Sequence, residues 1–158
     1  MTLQRDVEVL RNIPLFKKVD PAKLKLLAFT SEHLEFAQGD VVCRQGDVGD
    51  AAFILLDGEA DILVTVADDQ TLKVATLGRN EIVGEIAILC DVPRTATVVA
   101  ATDLSTLRVS KDGFFNLVTQ FPLVGVEIMH ELASRLYHTT QDLTAAKLRL
   151  KDLEQAAG

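Results

Sequence analysis

A β-sandwich or barrel with helices at either end is the fold class that this 158-residue sequence predicts, and three observations predict it. Between Leu34 and Ser110, short runs rich in Val, Ile, Leu and Thr are broken at close intervals by Gly/Asp turns, the signature of an all-β domain. Ahead of them lie two stretches that read as helices from their apolar spacing and start signals. Behind them, from Pro122, an apolar series spaced three and four apart runs almost to the C-terminus, interrupted only by Gly125.

Leu3, Val7, Leu10 and Ile13 mark a helix over residues 2–13, closed by Pro14. Asp20-Pro21 reads as an N-cap followed by proline at N1, opening a second helix through Leu24, Leu27 and Phe29. Packing against the following domain is the plain role of both. The β-type runs fall at 34–37, 41–44, 52–56, 61–66, 72–77, 95–100 and 106–109, separated by turns such as Gln38-Gly39-Asp40, Gln45-Gly46-Asp47 and Asp57-Gly58. Ser110 is an N-cap, with Asp112 in the first turn, for a short helix through Phe114, Phe115 and Leu117. Pro122 starts the last helix, about 34 residues and about 50 Å long at 1.5 Å per residue. The chain thus divides into a β domain with its leading helices, 1–121, and a C-terminal helix, 122–158.

A net charge of −7 argues against a direct nucleic-acid partner, because binding a phosphate backbone needs a basic surface. Any bound phosphate must be held by a local site. No apolar run reaches the ~18 residues of a membrane span, and the first residues open no signal peptide. Cys43 and Cys90 have no metal-type spacing, and His33, His130 and His138 are far apart, so no metal is expected. The expected compartment is a reducing cytoplasm.

The stretch with the most chemistry is Gly84-Glu85-Ile86-Ala87, followed after a short gap by Pro93-Arg94-Thr95-Ala96-Thr97-Val98. A glycine before a helical turn lets backbone approach a ligand closely, and the free N–H groups of Glu85, Ile86 and Ala87 suit an anion. Arg94 adds a fork of donors matched to phosphate oxygens, with the Thr95 hydroxyl beside it. Glu85, acceptor-only when ionised, repels phosphate and suits a sugar hydroxyl. An anion at one edge and a hydroxyl at the other describe a ribose cyclic phosphate. The plainer alternatives are an Arg94 paired on the surface with Asp91, and a Glu85 that only favours its own helix N-terminus.

These two segments resemble the phosphate-binding cassette of the cyclic-nucleotide-binding domain family, in its catabolite activator protein-like branch. The resemblance covers most of the chain; Val83, where many members carry an aromatic, is a departure that bears on packing. It implies a jelly-roll β-barrel in which the cassette interrupts the strand series, with cAMP, or cGMP, as regulatory ligand. It implies that Glu85 accepts from the ribose 2′-hydroxyl, that Arg94 and Thr95 hold the phosphate, and that Ile62, Val74 and Leu77 form the wall for the base. Thr97 reads as structural.

In the last helix Met129, Leu132, Leu136, Thr139, Leu143, Ala146, Leu150 and Leu153 alternate three and four apart. Such a heptad seam predicts a parallel two-stranded coiled coil joining two copies through 129–153; the alternative is a helix lying on its own barrel throughout. The resemblance aligns Thr139 and Thr140 with a pair that reads adenine across the dimer, so cAMP is expected over cGMP. Thr139 bonding a carbonyl four residues back is the plainer fate. Arg135, one turn earlier, faces Glu85 across the same gap or is solvated. Catalysis on the ligand would want a metal cluster or an in-line base, and neither is present in the pattern, so no enzyme is expected. The predicted function is a sensor that couples ligand to the C-terminal helix and dimer arrangement and acts on an effector protein. The alternatives are a dimerisation scaffold with a vestigial pocket, or a piece of a larger regulated protein such as a transcription factor, since no helix-turn-helix follows the long helix.

Overall fold

The computed structural model describes residues 3–157. Two helices, α1 (Leu3–Arg11) and α2 (Pro21–Phe29), precede eight strands: β1 (Glu32–Phe36), β2 (Val41–Cys43), β3 (Ala51–Asp57), β4 (Ala60–Thr65), β5 (Thr71–Leu77), β6 (Ile82–Val83), β7 (Thr97–Ala100) and β8 (Leu104–Ser110). A short helix α3 (Glu85–Cys90) interrupts the series between β6 and β7, and α4 (Lys111–Gln120) and α5 (Pro122–Ala157) close the chain. The start of the expected helix at residue 2 lies outside the described residues.

The strands form two four-stranded sheets, ordered β1-β8-β3-β6 and β2-β7-β4-β5, with every pair antiparallel. This is the jelly roll that the family resemblance implies. The first sheet is covered on both faces, which explains why β3 is a continuous apolar run, where a half-buried strand would alternate. Phe53 and Leu55 point into the barrel with Ala60, Val98 and Leu104. Ile54, Leu107 and Val109 point outward, under Leu10, Phe16, Leu24, Phe114 and Ile128 of the helical layer. Thr106, fully buried in this sheet, donates from its hydroxyl to the Leu34 carbonyl at 2.9 Å, so its polar atom is satisfied.

Both expected caps form. The Asp20 carboxylate accepts the Ala22 N–H at 2.9 Å and the Ser110 hydroxyl accepts the Gly113 N–H at 3.0 Å. Most strand ends move by one or two residues from the sequence reading, and larger differences have identifiable causes. The first helix ends at Arg11, and Pro14 opens a 3-10 turn that buries Leu15 and Phe16. The strand expected from Thr95 begins at Thr97, because Arg94 is bonded to the loop after β2 and holds the chain out of the ladder. The two-residue β6, too short for any periodicity, exists through pairing with Phe53 and Ile54. The long helix has two regimes: Val124 and Ile128 are buried and Leu132 packs against the helical core, whereas everything from Leu136 to Ala157 is exposed.

Candidate functional site

A cavity opens where the cassette meets the second sheet. Gly84, Glu85, Ile86, Ala87, Arg94 and Thr95 form one side, and Ile62, Leu77, Cys43 and Val98 the other. Gly84 N-caps α3 in the left-handed region at φ 86°, and a Cβ there would collide with the Arg94 guanidinium. Gly49 allows an equally close approach, since a Cβ on it would overlap the Ala87 methyl and meet Arg94 Nε at 3.3 Å. Two glycines far apart in sequence thus shape the channel that the Arg94 side chain occupies.

Arg94 is fixed from its backbone outward. Its N–H donates to the Asp47 carbonyl and its carbonyl accepts the Gly46 N–H, both at 2.8 Å. The side chain is only 6% exposed, and the guanidinium carbon lies 5.8 Å from the centre of the Phe53 ring. Among the described residues the side chain makes one hydrogen bond, a long one of 3.4 Å from Nη1 to the Gly84 carbonyl, and forms no ion pair. Asp91, the surface partner considered for it, is paired instead with Lys111 Nζ at 2.9 Å. A buried cation without a counter-charge is costly unless an anion completes it. The arrangement therefore selects an anion.

Glu85 stands at the start of α3, half-buried on the same cavity. Burial pushes its carboxyl up, while a hydrogen bond from its own backbone and the positive charge of Arg135 pull it down. Arg135 therefore acts on Glu85 within one chain, whereas the sequence reading set the two facing each other across the gap between copies, and Arg135 is not among the residues that line the cavity. Burial also pushes the Cys43 thiol up, against Arg94 and a backbone hydrogen bond to Val98, with Asp47 adding to the rise.

Not every expected residue joins this cluster. Val74 is 57% exposed and absent from the cavity wall: the edge strand β5 is exposed from Thr71 to Thr76, and a register shift between Ile62 and Leu63 leaves Val74 without a cross-strand partner. Thr139 and Thr140 lie on the exposed length of α5, away from the cavity, and neither hydroxyl has a partner among the described residues. It is Thr144 that bonds back along the helix, to the Thr140 carbonyl at 2.9 Å. Thr97 accepts the Gln45 N–H at 3.0 Å, a structural role. Cys43, Ile82, Ala96 and Val98 line the cavity without having been assigned a ligand role, and Val83, whose departure from the family was read as a matter of packing, lines it as well. The inward alternation of β7, which buries Val98 and Ala100, was the available signal. Among the described residues no group of three or more His, Cys, Asp or Glu is placed to hold a metal ion, and no helix is long and apolar enough to cross a membrane.

Fold and site together define a class: a jelly-roll module offering a buried arginine and a half-buried carboxylate to one small anionic ligand. The chain belongs to the cyclic nucleotide-binding domain family, whose model matches residues 33–121, more than half of its length. It is 32% identical over 109 residues to the cAMP-dependent protein kinase regulatory subunit of Blastocladiella emersonii, covering 69% of this chain and 27% of that protein. To the cyclic AMP receptor protein of Thermus thermophilus it is 29% identical over 145 residues, 92% of this chain and 62% of the other. The crystal structure of the N-terminal domain of a transcriptional regulator from Streptomyces coelicolor superimposes with a TM-score of 0.73 at 29% identity, covering 84% of this chain and 95% of that one. The chain thus spans about a quarter of the kinase subunit and about three-fifths of the receptor protein.

Proposed function

We propose that this chain is a cyclic-nucleotide sensor, preferring cAMP to cGMP, that reports the state of its pocket through α5. The observation that carries the reading is Arg94: a nearly buried guanidinium without a counter-ion, on the cavity that also holds Glu85. The cyclic phosphate would take the Arg94 fork, the Thr95 hydroxyl and the N–H groups of Glu85, Ile86 and Ala87. The ribose 2′-hydroxyl would donate to Glu85, and the base would lie against Ile62 and Leu77. The names of the kinase regulatory subunit and the cyclic AMP receptor protein support cAMP as the ligand and regulation, without catalysis, as the role.

The adenine end needs α5. Thr139 and Thr140 supply the amino-group acceptors from a second copy, paired through the seam at 129–153, so ligand and helix arrangement become linked, on the ~1–3 kcal/mol scale usual for such coupling. We assign the protein to the cytoplasm, with an effector protein downstream and neither nucleic acid nor membrane as a direct partner.

Titration calorimetry with cAMP tests the site. Arg94→Ala should cost about 2–5 kcal/mol, since the ligand's phosphate would be desolvated without its counter-charge. Affinity within threefold of the parent would overturn the assignment. Inter-helix distances from spin labels on exposed α5 positions test the coupling. Distances that stay the same while cAMP is demonstrably bound would make α5 a passive clamp.

A further inference from the structure

The exposed end of α5 carries a charge pattern as well as an apolar seam. With Leu143 and Leu150 at heptad positions a, and Ala146 and Leu153 at d, the flanking g positions are Asp142 and Arg149 and the flanking e positions are Lys147 and Glu154. All four charges are exposed, and none forms an ion pair within the chain among the described residues. The seam between them is equally uncovered, with Leu143, Leu150 and Leu153 each more than half exposed.

We infer that residues 141–154 form a self-complementary zipper whose partner is a second copy of this chain, parallel and in register. The inference rests on the reading of α5 as a pairing helix and adds what sets the register. In a parallel pair each g residue faces the e residue five positions on in the partner helix. That brings Asp142 to Lys147 and Arg149 to Glu154, each twice by symmetry. A slip of one heptad sets Asp142 of one helix against Glu154 of the other and, in the same dimer, Arg149 of that second helix against Lys147 of the first. Both contacts oppose like charges. In-register pairing holds Thr139 of the two helices at one level, between two nucleotide cavities related by symmetry.

The test uses two charge-neutral double variants, Asp142→Lys with Arg149→Glu, and Lys147→Glu with Glu154→Lys. Alone, each opposes like charges at all four sites of the in-register parallel dimer, and a slipped dimer keeps only two of the four attractions, so sedimentation equilibrium should show dimerisation weakened about tenfold or more. Mixed, the two restore every attraction, and a heterodimer of parent-like affinity should form. This recovery also shows that both variants fold. An antiparallel pair matches g with g and e with e, so each variant would stay self-complementary. Variants that dimerise alone as well as the parent, a mixture that stays monomeric, or a monomeric parent would each overturn the inference. Titration of a fluorescent cAMP analogue on the same samples reads the pocket separately. Absent binding with the charge-swap behaviour intact would defeat the sensor reading and leave the zipper standing.

Discussion

The two ends of the nucleotide cavity are built in opposite ways. At the phosphate end Arg94 is buried, bonded through its backbone to the β2–β3 loop, and threaded past two glycines. At the base end one expected contact, Val74, faces solvent, and two others, Thr139 and Thr140, stand on a helix with nothing over them. Groups held in place lose little freedom when the ligand arrives, whereas groups that must be brought together charge their ordering to the binding step. The difference teaches that a single chain holds its cationic end in place and leaves the threonines of α5 uncovered. On the function proposed above, affinity for the cyclic phosphate would be a property of the barrel, and choice of base a property of the assembly.

The sharpest way to break this comparison is to disturb the finished end without touching a ligand-contacting side chain. Gly84→Ala puts a methyl where the Arg94 guanidinium lies, on a residue at φ 86°. The left-handed conformation alone costs a non-glycine residue about 1–2 kcal/mol of stability. Displacing the guanidinium should cost nucleotide binding about 1.5–3 kcal/mol, the scale of a hydrogen bond to a charged group. Calorimetry and thermal melts on the same variant separate the two losses. A lowered melting temperature with unchanged cAMP affinity would mean that the preset position of Arg94 carries nothing.

The base end should respond more weakly and differently. Thr139→Leu removes one neutral hydrogen bond to the base, about 0.5–1.5 kcal/mol, while extending the apolar seam. We expect tighter dimers, weaker cAMP binding and a narrower gap between cAMP and cGMP, because Thr95 remains able to serve a guanine amino group in a syn ligand. Competition of each nucleotide against a fluorescent cAMP analogue measures that gap. If cGMP displaces the analogue from the parent as well as cAMP does, the threonines do not read the base.

The same division governs what was legible in the sequence. Gly84, Glu85, Arg94 and Thr95 lie within twelve residues, so their chemistry could be read as one unit, and all four line the cavity. Gly49 could not be read that way, because its reason is a contact with Ala87 that only the fold creates. Strand β3 was visible as an apolar run, yet β1 pairs with β8 across some 70 residues, and no local pattern encodes that partner. The order of strands therefore came from the family resemblance. Val74 differs for another reason: β5 is an edge strand exposed at every position from Thr71 to Thr76, and its apolar residues Leu72 and Val74 do not betray this in the sequence.

The smallest effect, and the one with a sign to work out, belongs to Glu85. Burial raises its carboxyl above the ordinary 4.5 in the folded protein, and the opposing pull of Arg135 is the least of the contributions, so it does not reverse the shift. Between 4.5 and the raised value the folded state binds more protons than the unfolded one, so stability falls as pH rises through that window. Glu85 is thus least costly below pH 4.5, and at neutral pH it holds a desolvated carboxylate that its own backbone N–H and Arg135 compensate only in part. Glu85→Gln keeps the shape and removes the charge. It should therefore melt at a higher temperature than the parent at pH 7, with the difference closing as pH is lowered toward 4. Its cAMP affinity should fall at the same time, because an amide oxygen accepts from a ribose hydroxyl less strongly than a carboxylate. Scanning calorimetry from pH 4 to 8 with and without cAMP measures both. A glutamine variant no more stable than the parent at pH 7 would mean that Glu85 is held by the fold itself, and that its cost is not the ligand's to relieve.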